Sequence, residues 1–214
     1  MICVSVTGPG YEKCVDAVSK HAIAEIRIDR AGLNLDEVVR LFDRYGWKLI
    51  ATCRPGNVPE PERMELLLSA IEAGAWMVDI ELGSPKRTMD RILAGARSAG
   101  CRVIVSHHDY KKTPPREKLL EIVDRCFLNG ADIAKVACTV VEPRDNGRII
   151  GIIDDVRPVI AIGMGEMGRI TRVASVLSGS PFTYASQRKG DESAPGQFDA
   201  REARLLVRRF GGDA

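Results

Sequence analysis

The sequence has little net charge, few histidines and no long apolar run, and each of these absences argues against a class of function. Its 31 basic and 29 acidic residues leave a net charge of +2, which gives no electrostatic reason to expect nucleic acid as a partner. No apolar run approaches the roughly 20 residues that a membrane span needs. We therefore expect neither a nucleic-acid partner nor a membrane partner.

The cysteines and histidines do not form a recognisable metal site. None of the six cysteines belongs to a Cys-x-x-Cys pair and there are only three histidines, so we predict no metal. Cys3, Cys53, Cys101 and Cys138 lie in or beside apparent strands, where thiols usually act as small buried hydrophobic groups. The N-terminus has neither a basic flank nor a long apolar region and reads as a first strand, not a signal peptide. We expect reduced thiols and a cytoplasmic protein.

Strand-like apolar runs alternate with helix-like segments along the whole chain. The predicted strands are Ile2–Thr7, Ala22–Ile28, Lys48–Cys53, Trp76–Leu82, Arg102–Ser106, Asp132–Cys138, Pro158–Met164 and Phe182–Ala185. Eight strand–helix units in a chain of this length predict the α/β class and a compact (β/α)8 TIM barrel, with residues 1–214 as a single catalytic domain. An open doubly wound sheet is the alternative, but it usually has fewer strands, and no Gly-x-Gly-x-x-Gly turn follows the first strand.

Lys135 lies in the middle of an apolar predicted strand, with no polar residue for two positions on either side. Inside a buried strand, a lysine must have its ammonium compensated or lose its proton. A deprotonated lysine is a nucleophile that can form a Schiff base with a carbonyl compound. On this strand alone, an edge lysine that points to water is the simpler interpretation.

Other polar residues interrupt the apolar strands toward their C-terminal ends or follow them, where (β/α)8 barrels carry their chemistry. They are Glu25, Arg27, Arg54, Glu81, His108, Arg172 and Gln197. Each has a plain structural explanation when taken singly. Their shared position predicts that those on the second to sixth strands converge on one pocket, with charges that compensate one another.

The residue types indicate a chemistry. A lysine that forms an imine needs a partner that moves protons, and histidine is the side chain suited to this near neutral pH. Glu81 or Asp109 could orient that histidine, and Glu25 could accept hydrogen bonds from substrate hydroxyls. The arginines suggest a carboxylate held by two hydrogen bonds. The set predicts a small polyhydroxylated keto-acid that is activated as an imine and altered at the neighbouring carbon.

Seven motifs, in order along the chain, together resemble those of the type I 3-dehydroquinate dehydratase family. They are Glu25–Asp29, Cys53-Arg54, Asp79–Glu81, Ser106–Tyr110 with Thr113-Pro114, Asp132–Lys135, Gly168–Arg172 and Ser193–Gln197. They span most of the chain and are specific only as a set. The departures are a short N-terminus and Thr171, which stands where the family pattern leads us to expect serine.

The resemblance implies a role for each catalytic residue. Lys135 forms the imine with the C3 carbonyl of 3-dehydroquinate. His108 removes a C2 proton and then helps the C1 hydroxyl to leave as water, and Glu81 orients His108. The imine serves as electron sink, so neither a metal nor an organic cofactor is expected. The product is 3-dehydroshikimate, in the shikimate pathway of aromatic amino acid biosynthesis.

The resemblance also indicates which residues bind the substrate and how the chain assembles. Arg172 and Gln197 hold the substrate carboxylate, whereas the hydroxyl side is lined by Glu25, Arg27 and Arg54. Ser193 and Gln197 belong to the loop Ser186–Gln197, which is expected to close over the pocket and exclude water. A homodimer is possible, as in many relatives.

Other interpretations stay open from the sequence. Adjacent strand residues point to opposite faces, so one histidine of His107-His108 enters the pocket, and the resemblance selects His108. Another Schiff-base barrel, such as a class I aldolase or a pyridoxal-phosphate enzyme, would need a phosphate-binding turn, for which Gly163–Gly168 is the candidate. An inactive barrel used for binding or as a scaffold would usually have lost part of the Lys135, His108 and Glu81 set, all of which is present.

Overall fold

The computed structural model of the chain describes residues 1–212, and its elements follow the predicted alternation of strands and helices. The strands are β1 (Ile2–Val6), β2 (Ala24–Arg27), β3 (Leu49–Thr52), β4 (Met77–Glu81), β5 (Arg102–Asp109), β6 (Ile133–Thr139), β7 (Val159–Met164) and β8 (Thr183–Ser186). The helices are α1 (Tyr11–Ser19), α2 (Ile28–Ala31), α3 (Leu35–Tyr45), α4 (Glu60–Glu72), α5 (Lys86–Ala99), α6 (Arg116–Leu128), α7 (Pro143–Ile150), α8 (Arg169–Leu177) and α9 (Ala200–Arg209).

The eight strands are ordered β7-β6-β5-β4-β3-β2-β1-β8 in one sheet. The pairs β1–β2, β2–β3, β3–β4 and β6–β7 are parallel, and Glu25 on β2 stands opposite Ser5 on β1 and Ile50 on β3. Eight strands that alternate with helices in this order are the (β/α)8, or TIM-barrel, fold class. The predicted fold class is confirmed, and the doubly wound alternative is wrong.

Contacts divide the chain into two compact units. The N-terminal unit is Val4–Ile104, and the C-terminal unit is Met1–Cys3 together with Val105–Ala214. Asp213 and Ala214, the end of the predicted domain 1–214, lie outside the described residues. The single catalytic domain stays a prediction.

In the N-terminal unit, amphipathic helices cover buried strands. The α3 helix buries Val38, Leu41 and Phe42, which recur at helical spacing. Its start is a capping box, in which Asn34 Oδ1 accepts from the Glu37 N–H and Glu37 Oε2 accepts from the Asn34 N–H, each at 3.0 Å. The box satisfies backbone N–H groups at the start of the helix that would otherwise lack acceptors.

In the C-terminal unit, β6 and β7 are buried along almost their whole length. The turn after β7 brings two backbones close together, because a Cβ added at Gly168 would lie 2.5 Å from the carbonyl carbon of Gly163. Only glycine fits there. The α7 helix ends at Ile150 and continues as a 3-10 turn, Gly151–Ile153.

Two strand boundaries near predicted site residues differ from the prediction. The β5 strand continues to Asp109 instead of ending at Ser106, so His107 and His108 lie on the strand and not after it. The β2 strand ends at Arg27 because α2 begins at Ile28.

All six cysteines are buried thiols without a disulfide. Burial raises the pKa of Cys53 and of Cys138 to about 12, so both act as inert apolar groups. Within residues 1–212, no helix is both long and apolar enough to cross a membrane.

Candidate active site

Glu25 is a buried carboxylate at the middle of the β2 strand in the N-terminal unit. The Ser5 hydroxyl donates to its Oε2 at 2.7 Å, and the Thr52 hydroxyl donates to its Oε1 at 3.0 Å. The strand register brings Ser5 directly opposite Glu25. Because a buried carboxylate is costly without donors, the two hydroxyls fix Glu25 in position.

Arg27, two residues further along β2, forms a bidentate ion pair with Asp29. Its Nε lies 3.0 Å from Asp29 Oδ1, and its Nη2 lies 2.7 Å from Oδ2. Burial by itself would lower the pKa of Arg27 and raise that of Asp29, but their hydrogen bonds and opposite charges outweigh it. The pKa of Arg27 is therefore raised and that of Asp29 lowered, so both groups are ionised near neutral pH.

Arg54, after β3, is paired with two carboxylates of β4. It donates to Glu81 Oε2 and, at 3.2 Å, to Asp79 Oδ2. The Asp79 side chain is fully buried, whereas those of Arg54 and Glu81 keep 15% and 22% of their surface exposed. The ion pairs of the two arginines make up what we call the paired-arginine cluster: Arg27, Asp29, Arg54, Asp79 and Glu81. The positive charge of each arginine is matched by at least one carboxylate, and the partly exposed Arg54 and Glu81 remain open to a ligand.

Lys135 is buried on β6 in the C-terminal unit, with 4% of its surface exposed. Its Nζ lies 4.0 Å from the centroid of the Tyr184 ring on β8. A ring face stabilises an ammonium through its quadrupole. The interpretation of Lys135 as an edge lysine that points to water is wrong.

Arg172, in the first turn of α8, is also buried and lies beside the same tyrosine. Its Nη1 donates to the Tyr184 carbonyl at 3.4 Å and its Nη2 to the Pro195 carbonyl at 3.2 Å. Its Nε has no hydrogen-bond partner among the described residues. Burial, together with the positive charge of Arg169, lowers the pKa of Arg172 to about 10. This guanidinium can still donate to an anion. Lys135, Tyr184, Arg172 and Pro195 are called the lysine cluster below.

The loop that carries Ser193 and Gln197 is seated on the turn after β7. Gln197 Oε1 accepts from the backbone N–H of Ser193 at 2.7 Å and from its hydroxyl at 3.1 Å. The Pro195 carbonyl accepts from the Gly165 N–H at 3.1 Å. A Cβ at Gly196, where φ is 72°, would lie 2.3 Å from the Gly165 carbonyl oxygen. Only glycine therefore allows this close approach.

Thr171 supports the same turn. Its hydroxyl accepts from the Gly163 N–H and donates to the Gly168 carbonyl, each at 2.7 Å. A serine hydroxyl could make both bonds, so the departure from the expected serine leaves Arg172 in place. The N–H groups of Gly163, Gly165 and Gly168 all donate to acceptors within the chain. This disfavours the phosphate-binding turn that the aldolase or pyridoxal-phosphate alternative needs.

His108 lies half-buried near the end of β5, and its ring stacks on Tyr110 with 6.0 Å between ring centroids. Asp109 Oδ1 accepts from the backbone N–H groups of Lys111 and Lys112 at 2.8 and 3.0 Å. Asp109 therefore shapes the turn after β5.

The structure places the nine predicted site residues in two groups, each within its own unit. The N-terminal unit carries Glu25, Arg27, Arg54 and Glu81, and the C-terminal unit carries His108, Lys135, Arg172, Ser193 and Gln197. Sequence reasoning gave no role to Asp29, Asp79 or Tyr184. The two aspartates stand inside quoted motifs, so their spacing from Arg27 and Glu81 was a usable signal, whereas nothing local marks Tyr184. Among residues 1–212, no group of three or more His, Cys, Asp or Glu side chains could hold a metal ion.

Comparison with known proteins gives the relationship of the chain. The model of the family described as type I 3-dehydroquinase matches residues 2–213. The 3-dehydroquinate dehydratase of Methanothermobacter thermautotrophicus is 39% identical over 224 residues, covering 96% of this chain and 95% of that protein. That of Methanocaldococcus jannaschii is 37% identical over 212 residues, covering 93% and 94%. The crystal structure of the Geobacillus kaustophilus 3-dehydroquinate dehydratase matches with a TM-score of 0.83 and 26% identity, covering 98% of this chain and 90% of that one. The chain belongs to the type I 3-dehydroquinase family, as its motifs predicted.

Proposed function

We propose that the protein is a hydro-lyase that converts 3-dehydroquinate to 3-dehydroshikimate and water, as a step of the shikimate pathway. Family membership and the names of the relatives support this activity. One observation carries the proposed mechanism. Lys135 is buried against the face of Tyr184, and Arg172 binds the backbone of that same tyrosine. A nucleophile and an anion-binding group therefore both contact Tyr184 on β8.

Lys135 attacks the C3 carbonyl of the substrate, and loss of water gives the protonated imine. The imine withdraws electrons from C2, so His108 can remove a C2 proton and leave an enamine. The enamine expels the C1 hydroxyl, which departs as water with the proton that His108 returns. Hydrolysis of the imine then releases 3-dehydroshikimate and restores the lysine. The electron sink is formed from the lysine and the substrate, so these steps need neither a metal nor an organic cofactor.

The remaining residues are proposed to bind and position the substrate. Arg172 and Gln197 hold its carboxylate, and Ser193 belongs to the loop that closes over it. Glu25, Arg27 and Arg54 contact the hydroxyl side. Glu81 orients His108. In the N-terminal unit the fixed ion pairs support this assignment, since a rigid set of donors and acceptors needs little rearrangement when substrate binds.

We further propose that residues 1–214 form one catalytic domain of a cytoplasmic enzyme that assembles as a homodimer. The buried, unbridged thiols are compatible with a reducing compartment. Sedimentation velocity of the purified chain tests the assembly directly, because a monomer and a dimer of a 23.4 kDa chain separate clearly.

The deciding experiment is borohydride reduction in the presence of 3-dehydroquinate, followed by peptide mass mapping. Reduction converts the imine to a stable secondary amine, so we expect a substrate-derived adduct on Lys135. Lys48 is the internal control, because it is also buried but donates to the carbonyls of Val18 and His21 at 2.7 and 3.0 Å. The Lys48 peptide should stay unmodified. The ultraviolet absorbance of the enone product is recorded in parallel without borohydride.

The outcomes separate mechanism from substrate. An enone without an adduct on Lys135 would mean that the same reaction runs without an imine. Neither enone nor adduct would reject 3-dehydroquinate as substrate. Equal adducts on Lys135 and Lys48 would show only nonspecific reduction of amines and would remove the support for Lys135.

A further inference from the structure

Arg63, on α4 of the N-terminal unit, is the largest fully buried side chain that the proposed mechanism leaves without a role. Its guanidinium makes four hydrogen bonds. Nε and Nη2 donate to the two carboxylate oxygens of Glu60 at 2.9 and 3.1 Å. Nη1 donates to the Cys53 carbonyl and Nη2 to the Ser84 hydroxyl, both at 3.0 Å. A planar fork that is held at this many points has one orientation.

The Cys53 contact fixes the start of the Arg54 segment. The Cys53 carbonyl belongs to the peptide unit that joins Cys53 to Arg54, directly after β3 ends at Thr52. An N–H donor on this carbonyl prevents the peptide plane from rotating. The backbone from which the Arg54 side chain leaves is therefore held from the α4 side.

The Ser84 contact fixes the segment that follows Glu81. The backbone N–H of Ser84 donates to the Glu81 carbonyl at 2.9 Å, which closes the turn after β4. Glu60 strengthens the link, because its Oε1 also accepts from the Thr88 hydroxyl at 2.6 Å at the start of α5. One guanidinium thus connects the ends of β3 and β4, whose side chains Arg54 and Glu81 are paired with each other.

We propose that Arg63 is a positioning residue for the reaction, which sets the placement of the Arg54–Glu81 pair by tying together the ends of the strands that carry them. The inference rests on the proposed function for its kinetic consequence, although the tie itself does not depend on the reaction. A displacement of about 1 Å at a substrate-contacting group can cost roughly 100-fold in rate, so a tie of this kind matters to catalysis.

Lys48 offers a matched control within the same unit. Lys48 directly precedes β3, whereas Cys53, to which Arg63 donates, directly follows β3. Both Lys48 and Arg63 are buried cations that donate to backbone carbonyls. Lys48→Met removes buried hydrogen bonds at the other end of the same strand. It is expected to lower stability while leaving the kinetics of the folded enzyme unchanged.

The experiment compares Arg63→Met, Lys48→Met and the wild type at a temperature at which circular dichroism shows all three folded. We expect Arg63→Met to lower kcat/KM for 3-dehydroquinate roughly 10- to 100-fold. In an Arg54→Met background the further loss caused by Arg63→Met should shrink to less than about 3-fold, since Arg63 acts through Arg54. Arg63→Lys should behave like Arg63→Met, because one ammonium cannot reach all four acceptors.

A second readout does not need turnover. Phenylglyoxal labels accessible guanidinium groups, and peptide mapping follows the labelling rate of Arg54. We expect several-fold faster labelling in Arg63→Met than in the wild type or Lys48→Met. If Arg63→Met does not fold, Ser84→Ala removes the link to the β4 turn alone and should shift both readouts in the same direction by a smaller amount.

The two readouts distinguish this inference from the proposed function. Equal labelling of Arg54 in Arg63→Met and Lys48→Met would overturn the positioning role, and so would additive kinetic losses in the Arg54→Met background. A wild type that forms no enone would reject the proposed function, and the labelling rates would then decide the structural role of Arg63 without it.

Discussion

Arg27 and Arg172 are both buried arginines among the predicted site residues, yet their surroundings move their pKa values in opposite directions. Arg27 shares two hydrogen bonds with Asp29, and its pKa is raised. Arg172 contacts two backbone carbonyls, has an unpartnered Nε among the described residues, and has a pKa lowered to about 10. Within the paired-arginine cluster, Arg27 thus has its opposite charge in the chain itself. In the lysine cluster, Arg172 is suited to a negative charge that the substrate carboxylate would bring.

The proposed role of the lysine cluster is tested most directly by removing its reacting amine. Lys135→Ala should abolish turnover, because no imine can form, while Arg172 and the paired-arginine cluster keep their contacts. Ligand binding measured by calorimetry should therefore persist. Turnover near the wild-type rate in Lys135→Ala would contradict the imine mechanism.

Removing the base should have the next largest effect. His108→Ala should lower kcat by about 10²–10⁴, the usual contribution of a positioned general acid–base group. His107→Ala is the matched control, since its side chain leaves the opposite face of β5. Single-turnover measurements of enone formation compare the two variants. A larger loss in His107→Ala would reassign the base to that residue.

Exchanging Arg172 and Arg27 separately for methionine tests whether the two arginines differ in role. Arg172→Met should raise KM by roughly 100-fold, because it removes a charged hydrogen bond to the carboxylate, and it should not lower the free energy of unfolding. The reason is that burial lowers the pKa of Arg172, so its charge opposes folding below about pH 10. Arg27→Met should lower the free energy of unfolding by about 3–5 kcal/mol, because the buried Asp29 carboxylate loses its opposite charge.

Urea unfolding and steady-state kinetics on the two methionine variants give both quantities. A carboxamide analogue of the substrate adds a specificity test. The wild type should prefer the carboxylate strongly, whereas Arg172→Met should discriminate weakly between the two. Destabilisation of Arg172→Met comparable to that of Arg27→Met would show that the two arginines are equivalent structural groups.

The smallest expected effect concerns acid stability. The pKa of Asp29 is lowered in the folded protein, so its ionised form contributes stability above the ordinary carboxyl pKa of about 4. That contribution is lost as pH falls through the lowered value. Asp29→Asn should therefore be less stable than the wild type at neutral pH, and the gap should narrow in acid. Urea unfolding from pH 7 down to pH 3 measures the stability difference between Asp29→Asn and the wild type. A difference that stays constant with pH would show that it does not come from the ionised Asp29 carboxylate.

Local patterns predicted the fold class well, and they located the strands because buried strands must be apolar and turns need glycine, proline or a cap. They were less accurate at strand ends. The β5 strand runs past Ser106 to Asp109 although His107, His108 and Asp109 are polar. Pairing in a sheet can overcome local propensity, and sequence periodicity does not register that effect.

Candidate site residues were found because charged side chains inside apolar strands are costly and therefore conspicuous. Their partners were not found in the same way. Tyr184 reads locally as an ordinary strand residue, and its position under Lys135 depends on which strands the chain folds together. Arg63 reads as a polar residue on an amphipathic helix, yet it is fully buried and bonded to Cys53 and Ser84.

The sequence by itself determined the alternation of strands and helices, the identity of the charged residues within them and the family motifs. These depend on hydrophobic periodicity and residue type, which are local. Only the tertiary structure decided that Arg27 is matched by Asp29, that Arg172 has a donor to spare, and that Lys135 faces an aromatic ring. Burial and ion pairing set the charge state of a group. Both depend on residues that are distant in the chain, or on the side-chain orientation of residues that are close in it.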